Sequence, residues 1–277
     1  MKFKHALLAV DLSTSSDDLV HCMEDLEKLG IEKVTLMTAV SNPYPGGPEK
    51  FDRSPFESKL KSYSQNLSDQ GFEADFVLKV ESSIYAPVII LKTARELEVD
   101  ILILGHRGHN RFSELFLGSV ASEIIQRSVL PVLLLRVSDE SDDKNVSICK
   151  NFTKRILVPT DFSDNADRVL EFFENVELRD SQVILLHIQS ETYPAFEAEM
   201  KHRKDFLANR GIKNVESQVL QGDVWKSITE YADKNDVSLI AMGSQGRGYL
   251  SSLFIGSNSM RVARYTTKPL LLIPADR

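Results

Sequence analysis

A pattern of glycines written twice constrains this chain more than any other feature. Gly105, Gly108, Gly118 and Ser119 in "GHRGHNRFSELFLGSVAS" recur at the same spacing, G-x2-G-x9-G-S, as Gly243, Gly246, Gly256 and Ser257 in "GSQGRGYLSSLFIGSNS". Six of the thirteen glycines occupy these positions. A lone glycine that closes a strand or opens a helix is an ordinary structural residue. A matched set that recurs argues for a ligand-facing role and for two copies of one domain. With 277 residues, each copy is long enough to bury a core of its own.

The flanks of the pattern repeat as well. In the first copy "HALLAVD", "KVTLMTAV", "FEADFVLKV", "DILILG" and "LPVLLLRV" read as strands, and in the second "KRILVPTDFS", "QVILLHIQ", "NVESQVLQGD", "VSLIAMG" and "KPLLLIP" do. Segments of helical periodicity separate them; "STSSDDLVHCMEDLEKLG" reads as one helix, capped by Ser or Thr and stopped by Gly30. Strands nearly continuous in Val, Ile and Leu, alternating with helices, predict parallel sheets covered on both faces. The expected fold is therefore α/β: two tandem doubly wound domains, each a five-stranded parallel sheet with helices on both faces. Residues 1–137 and 153–277 are the expected domains, joined by the polar linker 138–152, "SDESDDKNVSICKNF". The first copy carries an extra loop rich in Pro and Gly, "NPYPGGP", after its second strand. Pro131 and Pro269 precede the fifth strands and suit sheet edges.

Charge and composition exclude several functions. A net charge of −7 argues against a surface that neutralises many backbone phosphates, so nucleic acid is not an expected partner. A single small anion can still be held by backbone amides and one or two local cations. The apolar run in "MKFKHALLAVDLS" is too short for a signal core or a membrane span, which predicts a cytoplasmic protein with no membrane partner. Cys22 and Cys149 do not resemble a disulfide scaffold.

In each copy the first glycine ends the fourth strand and the last precedes a helix. Open parallel sheets bind ligands outside the carboxyl ends of their strands. There a glycine lets backbone amides approach, and Gly-Ser at a helix start offers unbonded amides, a hydroxyl and the positive end of the dipole to an anion. Such an interaction contributes about 0.3–1 kcal/mol per charge, up to about 2 when partly buried, against about 8 kcal/mol for micromolar affinity. The anion is thus one end of a larger ligand whose remainder is flat and apolar. No Gly-Lys-Ser/Thr P-loop is present, and a dinucleotide fingerprint would follow the first strand rather than the fourth. His106 and His109 flank Gly108 without a nearby Cys or carboxylate pattern, a poor zinc site, so no metal is expected. Arg107, Arg111 and Arg247 are solvated loop charges or phosphate partners. Spacing alone leaves Asp11 and Asp161 equally open as helix caps or ligand contacts, and Trp225 reads as packing.

The glycine-serine pattern, "VPTDFS" at the first strand, "ILLHI" at the second and "KPLLLIP" at the last together resemble the universal stress protein family, here as a tandem pair spanning nearly all of both copies. The resemblance implies a Rossmann-like fold of the adenine nucleotide alpha hydrolase type and a pseudo-two-fold axis. It implies ATP or another adenine nucleotide (ADP or AMP) as ligand, Mg²⁺ where the nucleotide carries it, and a role in stress response. In the second copy it implies that Asp161, after Pro159 and Thr160, bonds the ribose or the adenine edge, and that Ile188 and Met242 line the base. Gly243 and Gly246 then pass close to ribose and phosphate, and Gly256, Ser257, Asn258 and Ser259 hold the phosphates. The matching positions of the first copy are Asp11, Ala39, Leu104, Gly105, Gly108, Gly118, Ser119, Val120 and Ala121.

The first copy lacks a proline before its Asp, has Val120 and Ala121 for Asn258 and Ser259, and has Glu81 in "VES" against "QGD". The second site is therefore expected to be the stronger. By the same resemblance the fifth strands "VLLLRV" and "LLLIP" pair the two repeats, and a homodimer is a further expectation. No nucleophile–base pair or Mg²⁺–carboxylate cluster stands beside the glycines, so binding is expected ahead of phosphoryl transfer. An interaction scaffold with empty or altered pockets, and a slow ATP hydrolase, are the alternatives.

Overall fold

The computed structural model describes residues 3–21, 23–42, 51–82, 85–106, 117–136, 151–173, 176, 180–189, 196–246 and 255–275. Cys22, Cys149, the loop at 43–50 and the linker over 137–150 lie outside them. The first half contains β1 (His5–Ala9), α1 (Thr14–His21), β2 (Lys33–Ser41), α2 (Ser54–Asp69), β3 (Glu73–Glu81), α3 (Ala86–Glu96), β4 (Ile101–Gly105), α4 (Ser119–Arg127) and β5 (Val132–Leu135). The second repeats the order with β6 (Arg155–Pro159), α5 (Asp164–Phe172), β7 (Gln182–Gln189), α6 (Phe196–Asn209), β8 (Asn214–Gln221), α7 (Val224–Lys234), β9 (Leu239–Gly243), α8 (Ser257–Tyr265) and β10 (Leu270–Ile273).

The strands form one ten-stranded sheet in the order β3-β2-β1-β4-β5-β10-β9-β6-β7-β8. Pairing is parallel within each half and antiparallel where β5 meets β10, with Leu133 opposite Leu271. The order reads as a palindrome about that junction, so a pseudo-two-fold axis relates the halves. Pro131 and Pro269 stand immediately before β5 and β10, and their carbonyls accept the Leu102 and Ile240 amides at 2.9 Å each. Each fifth strand is thus the edge of its own half, and the two edges cover each other. Within each half the chain runs outward through β2 and β3 on one side and through β4 and β5 on the other, which makes the β1/β4 and β6/β9 gaps the switch points.

Both sheet faces are covered, which explains why "HALLA" and "LIAMG" carry no polar alternation. Leu8, Leu36, Leu60, Val158, Leu185 and Leu207 pack on one face under α1, α2, α5 and α6. Leu7, Leu102, Ile124, Ile184, Ile240 and Val262 pack on the other under α3, α4, α7 and α8. Each layer is continuous across both repeats.

The first helix departs from expectation. α1 stops at His21, and a 3-10 turn over Glu24–Leu29 follows, closed by Gly30 at φ 85°. Asp25 gives the reason: only 6% exposed, it turns inward and accepts the Phe152 amide of the second half at 3.2 Å and Lys28 Nζ at 2.5 Å. Phe3 stacks on Phe172 across the same boundary, with ring centroids 5.4 Å apart. Asp25→Ala leaves the Phe152 amide buried without this acceptor and is expected to cost about 1–1.5 kcal/mol. A urea titration checks this as a lower midpoint at unchanged slope. No described helix is long and apolar enough to cross a membrane.

Candidate functional site

The chain turns in the same way after β1 and β6. Asp11 Oδ1 accepts the Ser13 amide (3.1 Å), the Ser13 hydroxyl (2.6 Å) and the Ser16 hydroxyl (2.8 Å). Asp161 Oδ1 accepts the Ser163 amide (3.1 Å) and hydroxyl (2.6 Å). Ser163, not Asp161, caps α5, its hydroxyl accepting from the Ala166 amide at 3.2 Å. Each aspartate therefore braces the turn at the mouth of the switch point.

The residues that follow, Leu12 (φ 60°) and Phe162 (φ 63°), adopt the left-handed conformation. For a residue with a side chain this costs about 1–2 kcal/mol, so the surroundings must hold both turns in place. In the second half the hold is visible. Phe162 lies 4.3 Å from the His187 ring, with the Arg203 guanidinium 4.9 Å from its centroid. His187 Nδ1 donates to the Thr160 carbonyl at 3.0 Å. Arg203, 3% exposed, bonds both oxygens of Asp167 and one of Glu199. Burial pulls its pKa down, but the hydrogen bonds to Asp167 and Glu199 outweigh that and leave it raised. In the first half Thr38 Oγ1 donates to the Val10 carbonyl at the place of His187. Neither Leu12 nor Phe162 carries a sequence signal of its own; the recurring Asp-x-Ser is the cue that locates the turn.

The glycine motif closes at its base by one backbone bond in each half. The Gly118 amide donates to the His106 carbonyl at 2.9 Å, and Gly256 to Ser244 at 2.7 Å. His106 and Ser244 hang in turn from the ends of β5 and β10, bonding the Leu135 and Ile273 carbonyls at 2.8 and 2.7 Å. Neither α4 nor α8 has a side-chain cap, so their first-turn amides remain available to an anion.

The glycines of the second half differ in role. A Cβ on Gly243 would lie 2.8 Å from the Asn165 carbonyl oxygen, so this glycine lets β9 pack against α5. On Gly246 it would meet Asp161 Oδ2 at 2.6 Å, which places that loop against the aspartate. On Gly256 its nearest neighbour is 3.4 Å away. Ser259 is buried and donates to the Gly243 carbonyl at 3.0 Å, so its hydroxyl ties α8 to β9, whereas Ser257 is exposed and Asn258 half-buried. Pro159, Thr160 and Met242 are buried, and the partly buried Ile188 packs against the same apolar layer that contains Met242.

In the first half Asp11, Ala39, Leu104, Gly105, Gly118, Ser119, Val120 and Ala121 all line one cavity of about 660 Å³. That volume lies within the range of small-molecule sites, about 300–1,000 Å³. Gly108, Arg107, His109 and Arg111 lie outside the described residues, as does Arg247 of the second half. The cavity also takes Ser15 and Ser16 from α1, Met37 from β2, Ala86 and Ile90 from α3, and His106. Periodicity marks Ile90 as an apolar helix position but not which strand end it overhangs. Among the described residues no group of three or more His, Cys, Asp or Glu could hold a metal ion.

Comparison with known proteins places this geometry. The model of the universal stress protein family matches residues 2–136 and again 153–274. A universal stress protein of Mycobacterium tuberculosis is 25% identical over 235 residues, covering 78% of this chain and 77% of its own. One from Mycolicibacterium smegmatis is 20% identical over 294 residues, covering 96% of each. The crystal structure of a universal stress protein from Archaeoglobus fulgidus has a TM-score of 0.77 at 22% identity, covering 99% of both chains, and so shares the whole fold. A putative universal stress protein from Pseudomonas aeruginosa gives 0.68 at 14% identity, covering 98% of this chain and 93% of its own. Matched once in each half of a palindromic sheet, the chain belongs to the universal stress protein family.

Proposed function

We propose that this chain binds an adenine nucleotide at the switch point of each half and acts in cytoplasmic stress response through its bound state, as a regulator rather than an enzyme. The observation that carries the reading is the first-half cavity, which gathers eight residues from three elements, β2, β4 and α4 with its N-cap Gly118, and from the turn after β1 around one space. Its lining combines three kinds of group. Met37, Ile90 and Leu104 offer an apolar wall suited to a base, the braced Asp11 an acceptor suited to ribose hydroxyls, and the uncapped start of α4 a place for phosphate. The second half has the same turn at Asp161 and the same uncapped helix behind Gly256, with Asn258 adding an amide side chain where Val120 has none. ATP, ADP and AMP share the groups this arrangement recognises. The described residues supply no carboxylate cluster for Mg²⁺, so Mg²⁺ would arrive on the phosphates of the nucleotide.

The purified chain, denatured and deproteinised, is expected to release an adenine nucleotide identifiable by chromatography and mass. If it is purified empty, 1 mM ATP should raise its melting temperature by about 5 °C for a dissociation constant near 10 µM. No released nucleotide and no shift with ATP, ADP or AMP would overturn the proposal in favour of a scaffold with empty pockets.

A further inference from the structure

We infer that the two sites are coupled, and that His106 is the positioning residue that couples them. The inference rests on the nucleotide reading. His106 lines the first cavity, is 3% exposed, and supplies the carbonyl that holds Gly118 at the start of α4. Its ring crosses into the other half: Nε2 lies 3.0 Å from the Ala263 carbonyl oxygen. A carbonyl only accepts, so Nε2 carries the proton. Ala263 stands in the last turn of α8, where carbonyls lack partners within the helix, and His106 therefore acts as a C-terminal cap supplied by the other repeat.

α8 is also the helix whose start, at Gly256 and Ser257, faces the second site. Nine residues make a rod of about 13 Å, short enough to move as one piece. Its start is pinned by Gly256 to Ser244 and by Ser259 to Gly243, and its end by His106. A ligand that shifts His106 in the first cavity therefore shifts the helix that forms the second. The pseudo-two-fold symmetry is broken in sequence at this point, because Ser244, a much shorter side chain, occupies the place of His106. One direct tie is sufficient for mutual influence, since a coupling between binding equilibria acts equally in both directions.

The chain contains a natural reporter of this movement. Trp225, its sole tryptophan, lies with its ring centroid 4.8 Å from that of Tyr265, the last residue of α8 and two beyond Ala263. The experiment uses the full chain carrying Gly256→Asp, which blocks the second site, so that any ATP-dependent change in tryptophan emission originates in the first cavity. ATP bound to this variant, counted by equilibrium dialysis, is expected to change the emission saturably. Compared at ATP concentrations that equilibrium dialysis shows to saturate the first cavity of each variant, the change should disappear in Gly256→Asp/His106→Leu and persist in Gly256→Asp/His106→Gln, where an amide donor replaces the imidazole. In parallel, the affinity of either site measured alone, with Gly256→Asp or Gly118→Asp blocking the other, should differ by about 5-fold or more from its affinity in the two-site chain. That ratio should fall to one with His106→Leu. Far-ultraviolet circular dichroism confirms that each variant is folded, and the His106→Gln response separates a lost hydrogen bond from a lost fold. ATP bound to Gly256→Asp without a change in emission, or a change that survives His106→Leu, overturns the coupling while leaving nucleotide binding intact. A wild-type chain that binds no nucleotide overturns both.

Discussion

Gly256→Asp should remove nucleotide binding from the second half while leaving the protein as stable as before or slightly more so. A Cβ at this position meets nothing closer than 3.4 Å, and the backbone at φ −65° and ψ 146° is extended and open to any residue. Aspartate is among the best helix N-caps and exceeds glycine by a few tenths of a kcal/mol, about 0.5 kcal/mol at most. Its carboxylate would take the first-turn amides of α8 that have no side-chain partner in the native chain. The same groups are the ones offered to phosphate, so the substitution fills the anion site from within. It also adds repulsion: unit charges 4 Å apart at an effective dielectric of 20 interact by about 4 kcal/mol, which corresponds to roughly a thousandfold in affinity. Screening reduces this, and a loss of about 100-fold or more is the expected outcome. Calorimetric titration with ATP should show one binding event fewer than in the wild type, with a melting temperature unchanged or raised. Full stoichiometry and affinity in a folded Gly256→Asp chain would remove α8 from the binding site.

The fold was open to reading because its strongest determinants are local and repeated. A strand covered on both faces has no polar alternation to maintain, so "DILILG" and "VSLIAMG" announce buried parallel strands directly. The two copies, read independently, then confirm each other's element order. The features that escaped reading are set by residues far apart in sequence. The break between α1 and the 3-10 turn depends on Asp25 finding the Phe152 amide of the other half. The left-handed Phe162 depends on His187 and Arg203, neither of which signals that role in the sequence. Ser259 presents a hydroxyl in the right place for a phosphate, yet the structure gives that hydroxyl to the Gly243 carbonyl, a partner visible only once α8 lies against β9. At Gly118 and Gly256 spacing located the helix starts correctly, because a glycine before a serine and an apolar helical run is a boundary whatever the tertiary neighbours are.

Glycine spacing by itself does not divide the motif into residues that serve the ligand and residues that serve packing; the surroundings of each Cα do. Gly243→Ala is the test of that division. Its added methyl would lie 2.8 Å from the Asn165 carbonyl oxygen and 3.2 Å from both the Asn165 carbonyl carbon and the Gln245 oxygen, all of them backbone atoms. No side-chain rotation relieves such contacts. β9 must retreat from the start of α5, and Leu239 and Ala241, which are fully buried and share a core layer with Val169 of α5, would be drawn out of register with it. Overpacking of this kind costs about 1–3 kcal/mol, and clashes with main chain on two sides place Gly243→Ala near the top of that range. The expected result is an unfolding free energy lowered by about 2–3 kcal/mol in a denaturant titration, while Gly256→Ala, with ordinary contacts around its methyl, stays within about 1 kcal/mol of the wild type. Where the Gly243→Ala chain remains folded, its first half should still bind ATP, since Gly105, not Gly243, borders that cavity, with an affinity altered only through the α8 tie to His106. A stable Gly243→Ala protein would mean that β9 and α5 have slack between them and that this glycine, too, is there for the ligand.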